Sequence, residues 1–197
     1  MGAQLRVYRQ RMRSVQAMKK ITRAFELIAA SQMVKAQQRV HASVPFTQLI
    51  TRAVSAVATY SHEDHLLTTE KPEIKRSAVL LISPGRGLAG AYSSNVIKEG
   101  DRLSELLRAK GREPVTYITG RKASAFYRFR GREIAREWTG VSDAPPFATA
   151  QEIASTLIEA FRLGGENGGV DEIHIVYTKF VNMVTQVPEV LRLLPLE

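Results

Sequence analysis

The sequence contains no cysteine, which excludes disulfides, thiolate zinc sites and cysteine nucleophiles. It has no long apolar run either. The longest, AVLLI at 78–82, is far too short to span a bilayer. The N-terminus, MGAQLRVYRQ, is charged from Arg6 on and lacks an apolar signal core, so nothing in it directs secretion. Arg6 also stands where a myristoylation motif wants Ser or Thr. These absences predict a cytoplasmic protein. Glycine is missing from Gln4 to Tyr60, where Pro45 is the single proline. Acid is almost missing from the same region: residues 1–40 hold nine Lys/Arg and one acid, Glu26, a net +8 of the chain's +9. The other 157 residues hold nineteen bases and eighteen acids. Charge this uneven implies two parts with different partners.

What is present in the first part is helix-forming sequence. Leu5, Tyr8, Met12, Val15, Met18, Ile21, Phe25 and Ile28 recur at three-and-four spacing, the period of one helix face. Consecutive steps of three through Val15, Met18 and Ile21 shift the phase of the stripe, as a stammer does in a coiled coil. Some 55 residues of helix would make a rod of roughly 80 Å, unless Pro45 kinks it. A helix that long cannot curl around one small core, so its stripe needs a partner helix. Arg6, Arg13 and Lys20 lie seven apart on one line, with Arg9 and Arg23 beside them. A solvated face usually interleaves both signs at i, i+4. One this one-sided is built to meet a negative surface.

The second part alternates strands and helices. Strands are predicted at 77–83, 114–119, 133–138 and 171–178, with helices at 91–110, 121–130 and 147–163 between them. QVPEVLRLLPLE forms a last strand, paired back as a hairpin through KFVNM. This order predicts a mostly parallel sheet with helices on both faces, with SAVLLIS and DEIHIVYT as its central strands. The fold class is therefore α/β: a long N-terminal coiled-coil helix over 1–60, then a Rossmann-like domain over 75–197 ending in a hairpin strand. Between the parts, HEDH (His62 to His65) has the residue types to bind a metal, and a solvated loop explains it equally well.

Gly85, Gly87 and Gly90 in LLISPGRGLAGAYSSN stand at G-x-G-x-x-G spacing, after a strand and before a helix. That is the order of a dinucleotide fingerprint, whose glycines let pyrophosphate reach a helix N-terminus. The second strand, however, ends YITGRK, without the acid that holds an adenine ribose. Arg121 and Lys122 would suit a 2′-phosphate instead, so an NADP-dependent oxidoreductase using Gly85–Gly90 stays open. No triad spacing, paired acids or P-loop lysine accompanies the glycines. A basic coiled-coil nucleic-acid-binding protein is a second alternative. It would show steep salt dependence, but no nucleic-acid fold or aromatic platform is recognisable. A structural coiled-coil adaptor is a third.

Three blocks carry a family resemblance. MKKITRAFELIAASQMVKAQQRV resembles the N-terminal helix of the gamma subunit of rotary proton-translocating (F-type) ATP synthases, which reads -KIT-AMEMVAASKM-. SPGRGLAGAYSSN resembles that family's S-D-RGLCGG-NSN, and YTKFVNMVTQVPEVLRLLPL its Y-KF-N---Q-P----LLPL. The blocks occur in the family's order and cover essentially the whole sequence. Relative to that pattern Gly85 replaces an acid, Pro84 a small polar residue and Ala89 a cysteine. Gly87 and Gly90 are the family's own glycines, serving a turn.

The resemblance implies a central-stalk rotor. Its N- and C-terminal helices form an antiparallel coiled coil inside the ring of alpha and beta subunits. Its α/β domain lies near the epsilon subunit and the membrane-embedded c-subunit ring. It implies no catalytic residue, cofactor, nucleic acid or direct membrane insertion, and a peripheral place on the cytoplasmic face of a bacterial plasma membrane. The subunit-interface residues carried over are Arg9, Arg13, Lys19, Lys20, Thr22, Arg23, Glu26 and Ser31 on the helix, with Arg86, Gly87 and Gly90 in the loop. Arg9, Arg13, Lys19, Lys20 and Arg23 are expected to meet acidic loops of the beta subunits, with Arg86 adding to that surface. Family members continue into a C-terminal helix, whereas this sequence ends at Glu197. A fragment, or a second polypeptide supplying the helix, is expected; the isolated chain would then self-associate and support rotation poorly.

Overall fold

The computed structural model describes residues 2–60, 66–140, 145–182 and 184–196. The HEDH motif lies outside the described residues. The chain divides into two units, Met1–Tyr60 and Ser61–Glu197.

The first unit is one helix, α1 (Gly2–Tyr60), 59 residues long. It runs through Pro45, which lacks an N–H and crowds the carbonyl one turn back. Hydroxyls flank that point: Ser43 Oγ donates to Val40 O (2.9 Å) and Thr47 Oγ1 to Ser43 O (3.0 Å). Between residues 4 and 57 every side chain is exposed except half-buried Met33 and Gln37. The apolar stripe shares that exposure, with Ile21, Phe25 and Ile28 all open to solvent. Burying each such side chain would contribute roughly 1.5–3 kcal/mol. A helix this long draws most of its stability from burial of that kind.

The second unit is a three-layer α/β domain. Its elements are β1 (Arg76–Ile82), α2 (Tyr92–Ala109), β2 (Glu113–Thr119), α3 (Arg121–Phe129), β3 (Arg136–Trp138), α4 (Phe147–Leu163), β4 (Glu172–Phe180) and β5 (Gln186–Leu194). The sheet order is β3-β2-β1-β4-β5. The first four strands are parallel to their neighbours, and β5 returns antiparallel to β4. Alternation along β1 feeds both layers. Val79 and Leu81 pack with Val96, Leu107 and Tyr127 from α2 and α3. Ala78 and Leu80 pack with Leu157 and Phe161 from α4. Where α2 crosses β1, a Cβ on Gly100 would stand 2.4 Å from Leu81 Cδ2, so any larger residue would have to push the buried Leu81 side chain aside.

The expected elements all form, most within one residue of the expected ends; β5 closes at Leu194, short of the full QVPEVLRLLPLE, and β3 and β4 also differ in extent. β3 begins at Arg136 rather than 133, because the chain spends Gly131 to Ile134 reversing out of α3. The N–H of Arg132 bonds back to Tyr127 O (2.9 Å), and Gly131 adopts φ +62°. β4 runs on to Phe180 because the hairpin ladder with β5 continues to the Phe180–Gln186 pair.

Two buried carboxylates pin the end of the domain where β1 and β4 begin. Asp171 accepts from Lys71 Nζ (2.7 Å) and from the backbone N–H groups of Lys75 (2.9 Å), Arg76 (3.1 Å) and Gly165 (2.9 Å). Glu172 accepts from Ser77 Oγ (2.6 Å) and Arg112 Nη1 (2.9 Å). His174 Nε2 lies 3.1 Å from Glu172 Oε1 without lining up as a hydrogen bond. Burial pushes both carboxyls up, but Lys71 and the backbone N–H groups around Asp171, and the neighbouring His174, Ser77 and Arg112 around Glu172, outweigh it and hold each at about 2.

Candidate functional site

The helix places the predicted interface residues along one exposed rod. At about 100° per residue, Arg6, Arg9, Arg13, Lys20 and Arg23 fall within roughly 100° of arc. The stripe starts at Leu5 on the edge of that arc and winds away from it, so that Val15, Met18 and Phe25 lie on roughly the opposite side. Lys19 is turned about 100° from Lys20 and, one turn from both Val15 and Arg23, lies between the stripe and the basic face. Arg23 and Glu26 form an ion pair of 2.7 Å, both about two-thirds exposed, so the single acid of the region sits against one of its bases. Such an exposed i, i+3 pair is weak and easily exchanged for another partner. Thr22 Oγ1 donates back to Met18 O (2.9 Å), which leaves its oxygen as an acceptor. Ser31 is exposed on the same helix.

Arg86, Gly87 and Gly90 are exposed in the loop between β1 and α2. That loop is tied to the start of α3. Ser83 Oγ donates to Thr119 O (2.8 Å) and accepts from Ala123 N–H (3.2 Å), while Lys122 N–H reaches Pro84 O (3.2 Å). Gly120 adopts φ +89°, and a Cβ there would stand 2.0 Å from Ser83 O. Gly90 turns the chain at φ +54°. Between the glycines Leu88 also takes positive φ (61°), and its side chain is 99% exposed. Leu88 and Gly120 are the residues a reading of the motif missed. For Gly120 the signal was available: a glycine where a strand turns into a helix.

Beside the loop opens a mostly apolar pocket of about 440 Å³, with Ile82, Pro84, Tyr92, Trp138 and Ile153 among its walls. The arrangement does not suit a dinucleotide. Tyr92, the first residue of α2, lies back over the end of β1 and donates its hydroxyl to Ile82 O (3.1 Å), where a pyrophosphate would have to approach. Arg121, the candidate 2′-phosphate ligand, spends its Nε–H on Gly85 O (3.1 Å). Lys122 is packed towards Gly87. Trp138 is the chain's one tryptophan and lines this pocket, so it reports directly on occupancy. Titrating NADPH should leave its fluorescence unchanged after inner-filter correction; a saturable quench would contradict this reading of the loop.

Among the described residues no group of His, Asp or Glu is arranged to hold a metal. No helix among them is long and apolar enough to cross a membrane.

The comparisons with known proteins bear on the whole chain, the long basic helix and the α/β unit alike. The family model described as ATP synthase matches residues 4–197, so the chain belongs to the ATP synthase family. More narrowly, the relatives it resembles are ATP synthase gamma chains. That of Acidothermus cellulolyticus is 59% identical over all of this chain and 66% of its own length. Those of Kineococcus radiotolerans and Pseudarthrobacter chlorophenolicus are 58% and 57% identical, over 65% and 67% of their lengths. The chain thus spans about two-thirds of the length of the curated relatives it matches. Among solved structures it is similar to a chain of the central stalk and c ring of the Tetrahymena thermophila mitochondrial ATP synthase. The TM-score is 0.59 at 21% identity, over 89% of this chain and 72% of that one. That likeness establishes the fold. The oxidoreductase and nucleic-acid alternatives find no support among these relatives.

Proposed function

We propose that this chain serves as the central-stalk rotor of an F-type ATP synthase on the cytoplasmic face of a bacterial plasma membrane. In this role it couples proton-driven rotation to ATP synthesis in the ring of alpha and beta subunits. The observation that carries the reading is the 59% identity to a gamma chain along the whole sequence, which includes the basic helix and the glycine loop. The chain's own chemistry supports it. α1 offers many separate exposed charges rather than one deep knob, so each contact is weak and screened, and no single angle of rotation becomes a trap. Arg9, Arg13, Lys19, Lys20 and Arg23 meet acidic surface on the beta subunits as the shaft turns. Thr22, Glu26 and Ser31 lie on the same helix, and Glu26 shields Arg23 between encounters. Arg86, Gly87 and Gly90 form a second contact with the ring, and the α/β unit meets the epsilon subunit and the c ring.

Reversing three charges together, Lys19→Glu, Lys20→Glu and Arg23→Glu, tests this in the assembled complex. Exposed pairs contribute roughly 0.2–1 kcal/mol each. Losing three and adding repulsion should lower coupled ATP synthesis by about tenfold or more. Unchanged synthesis would overturn the role given to this face.

A further inference from the structure

The segment that leads into the α/β unit is fastened to the segment that leads out of it. Leu67 and Lys71 stand on the incoming chain, ahead of β1; Arg192 and Leu196 stand at the end of β5 and just beyond. The N–H of Leu196 donates to Leu67 O (2.8 Å), and Leu67 packs against the core cluster beneath α4. Three residues further on, Arg192 pairs with Glu70 across 122 positions of sequence. Next to that pair, Lys71 pairs with Asp171, whose carboxylate also holds the backbone of Lys75 and Arg76. Successive positions of the incoming chain are therefore bonded to three separate places: the outgoing chain, the core and the start of β4.

Such a strap exceeds what closing a sheet requires. β1 is already central and paired on both sides, so the Leu67–Leu196 and Glu70–Arg192 bonds are added to a sheet whose ladders are complete without them. Bonds in parallel share a shear load, whereas a single covalent thread passes it to one point and stretches. The incoming chain is the covalent route from α1 into the domain. Whatever torque passes between them along the chain must cross residues 67–76.

We infer that Leu67, Glu70, Lys71, Asp171, Arg192 and Leu196 form a strap that passes torque between the shaft helix and the α/β unit. The inference rests on the rotor reading. These are positioning residues, acting through the stiffness of the chain and not on any reacting atom.

The test uses the assembled proton-translocating complex carrying this chain, with ATP hydrolysis and ATP-driven proton pumping measured on the same membranes. Arg192→Glu alters a partly exposed pair and should leave the melting temperature of the chain close to that of the parent. It should leave hydrolysis within about twofold, while pumping per ATP hydrolysed falls at least about threefold. Adding Glu70→Arg should restore pumping by rebuilding the pair with its signs exchanged. Lys71→Met, on the more buried bond, should lower the pumping ratio further. Equal pumping ratios in the parent, the single variants and the exchanged pair would overturn the strap. So would loss that follows melting temperature alone, without rescue by the exchange. If the parent chain itself supports no pumping, the rotor reading fails first, and the two failures are told apart.

Discussion

Replacing Gly120 by alanine is expected to destabilise the α/β unit by about 3–5 kcal/mol. Two costs combine. Gly120 sits at φ +89° and ψ 140°, a region that L residues enter only under strain. The added Cβ would also stand 2.0 Å from Ser83 O and 2.7 Å from Ser83 C, backbone atoms that cannot swing aside. Relief would mean separating the end of β1 from the start of α3, which breaks the bonds Ser83 makes to Thr119 O and Ala123 N–H. A drop in melting temperature of roughly 10–20 °C should follow. Gly140→Ala is the control: a Cβ there meets nothing within 4 Å, and the melting temperature should hardly move. Because the same contact fixes the base of the glycine loop, Gly120→Ala should also loosen the loop that presents Arg86 and Leu88.

The second large effect is expected at Asp171. Asp171→Ala strands a lysine ammonium and three backbone N–H groups that the carboxylate now satisfies. Leaving a buried charge partner and buried donors unpaired should cost about 3–5 kcal/mol. The same carboxylate, with Glu172, sets an acid limit. Both folded pKa values, about 2, lie below the ordinary carboxyl values of 3.8 and 4.5. Their stabilisation is therefore complete above about pH 4.5 and is lost as pH falls towards 2. On the order of 2–3 kcal/mol per carboxylate is at stake. The melting temperature should accordingly hold steady at neutral pH and fall steeply between pH 4.5 and 2. In Asp171→Asn that fall should shrink, because of the two buried carboxylates Glu172 alone remains to titrate. A melting curve independent of pH across this window would contradict the assignment.

Much of the fold was legible because its signals are local. The glycine-free stretch from Gln4 to Tyr60 reads as helix without reference to anything distant, and α1 runs its full length. β1 and β4 announce themselves as apolar runs, and α2 to α4 as amphipathic periods between them. The extent of β3 was not legible, since its length depends on how many residues the reversal at Gly131 consumes. Nor were the two acids that open DEIHIVYT. In sequence they look like the solvated start of a strand, yet Asp171 and Glu172 are 4% and 1% exposed. Their partners Lys71, Ser77 and Arg112 lie 60 to 100 positions away, beyond the reach of any period or motif. The glycine loop misled in the opposite sense. Its spacing matches a nucleotide fingerprint, but Tyr92 and Arg121 are committed to the chain's own carbonyls. The basic face of α1 was readable because charge sign and helical angle need no tertiary context.

Because the chain has no cysteine, Lys20→Cys gives the rod one thiol, to which a short photoactivatable maleimide can be attached at the middle of the basic face. In the assembled ATPase, illumination should join this chain to a beta subunit and halt ATP hydrolysis in proportion to the yield, because a tethered shaft cannot turn. Linkage to neither alpha nor beta, or full linkage with hydrolysis undiminished, would show that α1 does not run as a rotor within the ring.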